Sequence, residues 1–167
     1  NGIYRGTIHR NDKKQYLPAQ WLSDGGTLDI LVEHQGRVNF RAEMLMGERK
    51  GILGNVVMYG VNGPRQNIFN WDVYTLPMDD LTKLDYTAAL KGQDRPMFYK
   101  GTFTAQEKKD CFVHLENFTK GFVTVNGFNL GRYWEKGPLE ALYIPGCILK
   151  EENEIVVFES DGIKGDP

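Results

Sequence analysis

Short runs of β-favouring residues, separated by glycine-rich turns, recur along the whole chain. Most runs alternate apolar and polar side chains, the period of a strand with one buried face. Clear examples lie at residues 3–8, 28–33, 68–74, 97–103 and 121–125. Breaks at about every 8–12 residues are typical of β-sandwiches and barrels. Nineteen glycines and 12% aromatic residues favour the same class. The sequence therefore predicts an all-β protein.

An internal repeat divides these runs into two related groups. Its clearest part is the pattern N-G-x-x-x-G, which occurs at residues 1–6 and again at residues 126–131. Asn-Gly is the strongest short hairpin signal, because both turn residues need a positive φ. Two further echoes follow in the same order: Y-x-P at 16–18 and 143–145, and an acidic residue before three aliphatic ones at 29–32 and 154–157. The repeat predicts two related β-units, each with a hairpin, a Tyr-x-Pro corner and an acidic-apolar strand.

The repeat also predicts where the units begin and end. Strand-like runs precede Asn126 in the second unit, whereas no residue precedes Asn1. We therefore expect an incomplete first β-sandwich at residues 1–77 and a second at 95–167, in a C-terminal piece of a longer protein. Residues 78–94 are expected to link them. Within this linker, residues 79–90 can form a short helix, with acidic residues at its start and Gly92 past its end.

Charge and hydropathy exclude two classes of partner. The chain has 20 basic and 22 acidic side chains, for a net charge of −2, and no basic patch that would suggest nucleic-acid binding. No run approaches the ~18 apolar residues of a membrane span. We expect neither a nucleic-acid nor a membrane partner. The sequence alone does not fix a localisation, although an extracytoplasmic one, periplasmic or secreted, is favoured.

Motifs for cofactors, metals and nucleophiles are absent from the sequence. It contains no phosphate-binding loop, dinucleotide fingerprint, zinc-protease motif or G-x-S-x-G. The three histidines fall on different predicted strands without ligand spacing. Cys111 and Cys147 are isolated, and we expect buried free thiols. Adjacent acids, as at 79–80 and 151–152, point in different directions and do not form a glycosidase pair. We predict no cofactor, no metal and no catalytic residue.

Two clusters combine aromatic and polar residues. Arg37, Asn39 and Phe40 follow the turn at Gly36, and they could hydrogen-bond a sugar and stack on its face, or form a β-bulge whose arginine satisfies carbonyls. The second cluster, residues 126–134, reads N-G-F-N-L-G-R-Y-W. Its aromatics could fill a sandwich core or a domain interface, or form a lectin-like site. The residues alone leave both pairs of alternatives open.

Read together, these segments resemble the C-terminal β-domains of family 35 glycoside hydrolases, the β-galactosidases. Residues 120–159 follow the family pattern K-G-x-V-x-V-N-G-x-x-L-G-R-Y-W…G-P…L-Y-x-P…N-x-I-x-x-x-E almost position for position. Residues 96–103 resemble the strand that opens the same domain, and segments within 28–71 resemble the preceding β-domain. The resemblance implies two galactose-binding-domain-like jelly-roll sandwiches. One departure is Phe40, where the family often has a tyrosine.

The resemblance implies a function for the parent protein and a supporting role for this region. Family members are retaining β-galactosidases that hydrolyse terminal β-galactosides, and their catalytic glutamates belong to an N-terminal (β/α)8 barrel. This region is then expected to pack on the barrel and shape it, with the galactoside substrate as a further partner. The resemblance also places Phe40 at the mouth of the sugar pocket, with Arg37 and Asn39 beside it. An independent carbohydrate-binding module is the alternative.

Overall fold

The structure, a computed structural model, describes residues 1–20, 24–34, 36, 38–87 and 95–165. These residues form two compact units. One unit contains Asn1–Gly2 and Trp21–Pro77, and the other contains Ile3–Gln20 and Met78–Pro167. Strands dominate the regular structure, and the described parts of the chain contain one short α-helix. No helix among them is long and apolar enough to cross a membrane. The all-β prediction is confirmed.

The first unit contains a helix and a small hairpin. Helix α1 (Ala42–Gly47) was not predicted, and strands β1 (Val57–Tyr59) and β2 (Arg65–Asn67) pair antiparallel. The turn between these strands favours glycine, because a Cβ on Gly60 would lie only 3.2 Å from the Cα of Gly63. The Arg65 guanidinium lies 5.7 Å from the centre of the Tyr59 ring and adds a cation–π contact across the hairpin.

Three predicted strands are not formed. Residues 28–33 and 68–74 of the first unit, and residues 3–8 of the second, join no strand ladder. Their large side chains remain accessible, with Leu31 53% and Val73 86% exposed. Alternation reports which side chains share a face, but a strand also needs a neighbouring backbone to receive its N–H and C=O groups. These three segments have the alternating side-chain pattern of a strand but no neighbouring strand among the described residues with which to pair.

The second unit is a β-sandwich of two antiparallel sheets. Its strands are β3 (Met97–Thr104), β4 (Cys111–His114), β5 (Lys120–Val125), β6 (Phe128–Trp134), β7 (Ala141–Ile144) and β8 (Glu152–Glu159). The larger sheet has the order β3-β8-β5-β6, and β4 pairs with β7 in the smaller one. Strands β3 and β5 coincide with the runs predicted at 97–103 and 121–125, and the acidic-apolar segment predicted at 154–157 lies in β8.

The core of the second unit lies between the two sheets. Val123, Tyr133 and Val157 of the larger sheet pack with Leu142 of the smaller one, and each is at most 6% exposed. A second buried cluster joins Val125 to Ile144 and Leu149. Burial of such side chains contributes about 1.5–3 kcal/mol each. The alternating strands therefore form a sandwich because each sheet has one apolar face to cover.

The Asn-Gly turn joins β5 and β6 as predicted. Asn126 and Gly127 have φ values of 52° and 81°, and Val125 pairs with Phe128 across the turn. The repeat has a local counterpart at the other end of the chain, where Gly2 and Gly6 have φ values of 70° and 134°. The corresponding Gly127 and Gly131 have 81° and 116°. Both copies of N-G-x-x-x-G therefore place their glycines in backbone conformations that other residues rarely adopt.

The helix suggested for the linker is not found in its described part. Residues 79–87 contain a turn at 81–84 and no helix, while residues 88–94 lie outside the described residues. Asp80 accepts a hydrogen bond of 3.0 Å from the Thr82 N–H, and Asp85 accepts one of 2.9 Å from the Thr87 N–H. Such side chain–backbone bonds compete with helical ones, which explains the difference.

Candidate functional site

Two of the predicted sugar-pocket residues, Asn39 and Phe40, lie in the loop before α1. Asn39 and Phe40 are both exposed, Phe40 to 74%, and Arg37 lies outside the described residues. Arg41, between Phe40 and the helix, has a φ of 70°. The structure therefore brings Asn39 and Phe40 to the surface of the first unit, and Phe40 is not part of a core.

Glu48 and Lys50, which follow α1 in the sequence, anchor this loop through hydrogen bonds and an ion pair. The Val38 N–H donates a 2.7 Å hydrogen bond to Oε2 of Glu48, and the Lys50 ammonium lies 2.8 Å from Oε1 of the same carboxylate. Lys50 also donates to the carbonyl of Gly36. Both charged side chains are largely covered, at 9% and 14% exposed. Sequence reasoning missed this anchor; the only signal was a charged run directly after a short apolar segment.

An exposed aromatic ring on an anchored loop can stack on a sugar face or pack against another domain. Phe40 contributes a flat apolar surface with only two side-chain torsions to fix, which keeps the entropy cost of a contact small. The contacts of Glu48 restrict the backbone beside it. The assignment of Arg37, Asn39 and Phe40 to a substrate site stays a prediction.

The second predicted cluster separates into a core part and a surface part. Tyr133 is buried, whereas Trp134 is half-buried and lines a groove of about 510 Å³. The ammonium of Lys136 lies 5.3 Å from the centre of the Trp134 ring, and that of Lys120 lies 6.0 Å away. The same short sequence therefore supplies both a core residue and a groove residue, because neighbouring residues of β6 face opposite ways.

Glu159 is the most enclosed carboxylate of the second unit. Its side chain is fully buried and accepts hydrogen bonds from the Thr119 and Asp161 N–H groups, at 2.7 and 2.8 Å, and from the Tyr133 hydroxyl, at 3.0 Å. Burial, together with the charge of Glu159, raises the pKa of Tyr133, which keeps its hydroxyl a donor. No open space reaches this carboxylate, so it serves structure.

Metal-binding clusters and thiols are further groups that could carry chemistry. No group of three or more His, Cys, Asp or Glu side chains in the described residues could hold a metal ion. Both cysteines are free, and Cys111 is half-buried. The prediction that both thiols are buried is wrong for Cys147, which is exposed in the short 3-10 turn Gly146–Ile148. Only every third side chain of such a turn faces the same way, so Cys147 points away from the neighbouring core.

Comparison with known proteins assigns the two regions. Residues 1–77 match the family described as "Beta-galactosidase, first all-beta domain", and residues 96–154 match "Beta-galactosidase, galactose-binding domain". The chain belongs to the family 35 β-galactosidases. Its relatives include Beta-galactosidase-1-like protein 3 of Homo sapiens, 38% identical over 156 residues, which cover 92% of this chain and 23% of that protein.

Two other relatives are likewise much longer than this chain. Beta-galactosidase of Bos taurus is 35% identical over 81% of this chain and 23% of its own length. Beta-galactosidase 1 of Dictyostelium discoideum is 34% identical over 86% of this chain and 22% of its own length. The chain therefore spans about a quarter of the length of the curated relatives it matches, and the resemblance inferred from its motifs is confirmed.

Proposed function

We propose that this chain is the non-catalytic β-region of a retaining β-galactosidase, in which it packs on a catalytic (β/α)8 barrel and shapes it. The observation that carries the proposal is the match of both regions to β-galactosidase domains over about a quarter of the relatives' length. A barrel of about 200 residues or more fits in the remainder of such proteins. In this proposal the parent enzyme hydrolyses terminal β-galactosides.

Exposed apolar side chains in the first unit support a packing role. Val73, Tyr74 and Phe69 are 86%, 81% and 68% exposed, and they lie within one seven-residue run, residues 68–74. Soluble proteins seldom leave large apolar side chains so concentrated in water unless another surface covers them. The barrel is the partner proposed for this run.

The division of labour follows from the chemistry of retaining glycosidases. They need two carboxyl groups about 5–5.5 Å apart, one as nucleophile and one as acid/base. The buried Glu159 cannot reach a substrate, and we assign the catalytic pair to the barrel. Phe40 is then a rim residue that stacks on the galactoside, with Arg37 and Asn39 as supporting residues of the same loop.

Two measurements test this proposal. The purified chain should show no turnover of a chromogenic β-galactoside, and measurable turnover would overturn the assignment of catalysis elsewhere. When the barrel of the parent enzyme is co-expressed as a separate polypeptide, the two should co-purify. Val73→Asp together with Tyr74→Asp should abolish that association, whereas Val61→Asp, a matched change at another fully exposed valine, should not. Failure of the barrel to co-purify with the wild-type chain would refute the packing role.

An independent carbohydrate-binding module is the second candidate function. The observation that favours it is the groove beside Trp134, which combines an aromatic ring with charged side chains. Such a module would bind sugar without the barrel. Co-purification with the barrel separates the two functions, because a freestanding module has no reason to associate with it.

A further inference from the structure

Residues 28–33 of the first unit have the alternating pattern of a strand, but they pair with no strand among the residues that the structure describes. Their apolar face consists of Leu28, Ile30 and Val32, which are 42%, 42% and 48% exposed. A strand-forming sequence outside any ladder, with an accessible apolar face, is a template for pairing with another strand. The internal repeat indicates which strand fits it.

The same pair of hydrogen bonds joins the Asn-Gly turn to an acidic-apolar segment in both copies of the repeat. In the second unit, the Asn126 N–H donates to the Glu154 carbonyl at 2.9 Å, and the Glu154 N–H donates to Asn126 Oδ1 at 3.0 Å. In the first unit, the Asn1 nitrogen donates to the Thr27 carbonyl at 2.7 Å, and the Thr27 N–H donates to Asn1 Oδ1 at 2.9 Å. Thr27 is therefore the structural counterpart of Glu154.

This correspondence identifies residues 28–33 as the counterpart of β8. Counting on from the matched pair, Ile30 corresponds to Val157. The match lies two residues from the one that the sequence repeat indicates, and a shift of two keeps every side chain on the same face. Val157 is only 5% exposed, because it lies beside Val123 of β5 in a completed sandwich. Ile30 has the same position in the repeat without that cover.

The element missing beside residues 28–33 is the counterpart of β5. In the second unit, β8 pairs with β5, and β6, the strand after the Asn-Gly turn, pairs with β5 as well. Residues 3–8, which correspond to β6, therefore lack the same neighbour as residues 28–33. Because β5 directly precedes Asn126, its counterpart belongs directly before Asn1 in a longer parent protein.

We propose that residues 28–33 receive, as an antiparallel neighbour, the strand that directly precedes Asn1 in the parent protein. An Asn-Gly turn joins consecutive antiparallel strands, which makes this neighbour a segment of the same polypeptide rather than a second copy of the chain. The inference rests on the proposed function only in requiring a parent longer than this chain. It adds a partner for the first unit that is distinct from the barrel.

The register of β5 with β8 specifies the side chains of this strand. Val125 and Val123, the first and third residues before the Asn-Gly turn, pair with residues of β8 and have no exposed surface. By the same register, the first and third residues of the new strand before the turn pair with Leu28 and Ile30. They should be apolar and β-branched, as the two valines are, because they complete a buried face. Polar residues at both positions of the parent sequence would contradict the pairing.

Hydrogen exchange followed by mass spectrometry, on the 167-residue chain and on the full-length parent, tests the pairing. The amides of residues 28–33 should exchange at least about a hundredfold more slowly in the parent, because ladder hydrogen bonds protect them. The same protection should appear when this chain is extended only by the parent segment that corresponds to residues 97–125, which contains no barrel. In the extended chain, Ile30→Asp should abolish the protection, whereas Ile52→Asp, at a 51% exposed isoleucine of the same unit, should not.

Three exchange results would overturn the proposal. They are equal exchange of residues 28–33 in this chain and in the parent, protection in the parent but not in the extended chain, and equal effects of Ile30→Asp and Ile52→Asp. The second result would assign the cover to the barrel. Near-ultraviolet circular dichroism of the second unit verifies that each variant is folded. Co-purification with a separately expressed barrel remains the test of the accessory role, so the two proposals fail independently.

Discussion

The Tyr133 hydroxyl donates a hydrogen bond of 3.0 Å to Oε2 of Glu159, joining β6 to the end of β8 inside the sandwich. The same carboxylate accepts the backbone N–H of Thr119, before β5, and of Asp161, after β8. A buried carboxylate is stable only when hydrogen bonds replace the water that it has lost. Glu159 therefore ties the start of β5, the end of β6 and the C-terminal segment to one point.

Glu159→Gln should destabilise the second unit by about 2–4 kcal/mol. The glutamine amide presents an NH2 group where every neighbour is a donor, so buried N–H groups lose their acceptor. Urea unfolding followed by circular dichroism measures the change in the free energy of unfolding.

Tyr133→Phe is the matched variant for this site. It removes one hydroxyl from the same carboxylate but leaves the backbone N–H donors of Thr119, Lys120 and Asp161 in place, and it should cost about 1–2 kcal/mol. Equal stability of Glu159→Gln and wild type would show that the carboxylate is not the organising group.

Gly121→Ala should prevent the second unit from folding. A Cβ at this position would lie 1.6 Å from the Phe158 carbonyl oxygen and 2.9 Å from the Tyr133 hydroxyl, and the carbonyl cannot move without breaking the β5–β8 ladder. Gly101→Ala is the control, because its Cβ would meet only Ile155 Cγ2 at an ordinary 3.6 Å. Soluble yield and near-ultraviolet circular dichroism distinguish them, and a folded Gly121→Ala would contradict the close approach.

Asn126 combines a turn conformation with hydrogen bonds from its side chain. Its Nδ2 donates to the Ile148 carbonyl and to Asn153 Oδ1, at 2.8 and 2.9 Å, and its Oδ1 accepts the Glu154 N–H at 3.0 Å. Asn126→Gly readily adopts the positive φ but loses the side-chain hydrogen bonds. Asn126→Ala loses the hydrogen bonds and also strains the backbone, because alanine disfavours a positive φ. We expect both variants to be destabilised in chemical denaturation, Ala by about 1 kcal/mol more than Gly. Identical losses would show that the turn conformation contributes nothing.

The second unit could be predicted from the sequence, and the reason is local. Its turn signals and its alternating runs agree, so Asn126-Gly127 fixes the pairing of β5 with β6 and places Val123 and Val125 on the buried face. The Glu159 site could not be predicted, because its partner Thr119 is 40 residues away along the chain. Only the completed ladder brings them together.

The first unit shows the opposite case. Residues 28–33 have a strand pattern as clear as that of β5, but they join no ladder. Helix α1 was not predicted because it has only six residues and is followed by charged ones. Fewer than two helical turns are too few to show the 3.6-residue spacing of apolar side chains that indicates a helix. The anchoring of the Phe40 loop by Glu48 is likewise a tertiary contact between residues without a recognisable motif.

Asp110 should make the β4–β7 end of the sandwich sensitive to acid. Hydrogen bonds from the Tyr143 hydroxyl and from the Gly146 N–H hold the pKa of this carboxyl below its ordinary value. A carboxyl with a depressed folded pKa contributes stability above its unfolded pKa, and this is lost as the pH falls through the folded pKa. NMR titration should show the pKa of Asp110 rising in Tyr143→Phe, while that of Asp80, held by Thr82, stays unchanged. An unaltered pKa of Asp110 in Tyr143→Phe would contradict the hydrogen bond from the Tyr143 hydroxyl.

Phe40→Ala, in the intact parent enzyme, should raise KM or alter the preference for the leaving group while leaving the melting temperature nearly unchanged. The ring is 74% exposed in this chain, so its removal costs little packing, whereas stacking on a sugar is worth about 1–2 kcal/mol. Glu48→Gln is the companion variant, since it weakens the anchor on Val38 and Lys50 without touching the ring, and it should change KM in the same direction by a smaller factor. Loss of several degrees in melting temperature by Phe40→Ala, with unchanged kinetics, would instead make Phe40 a packing residue at the barrel interface.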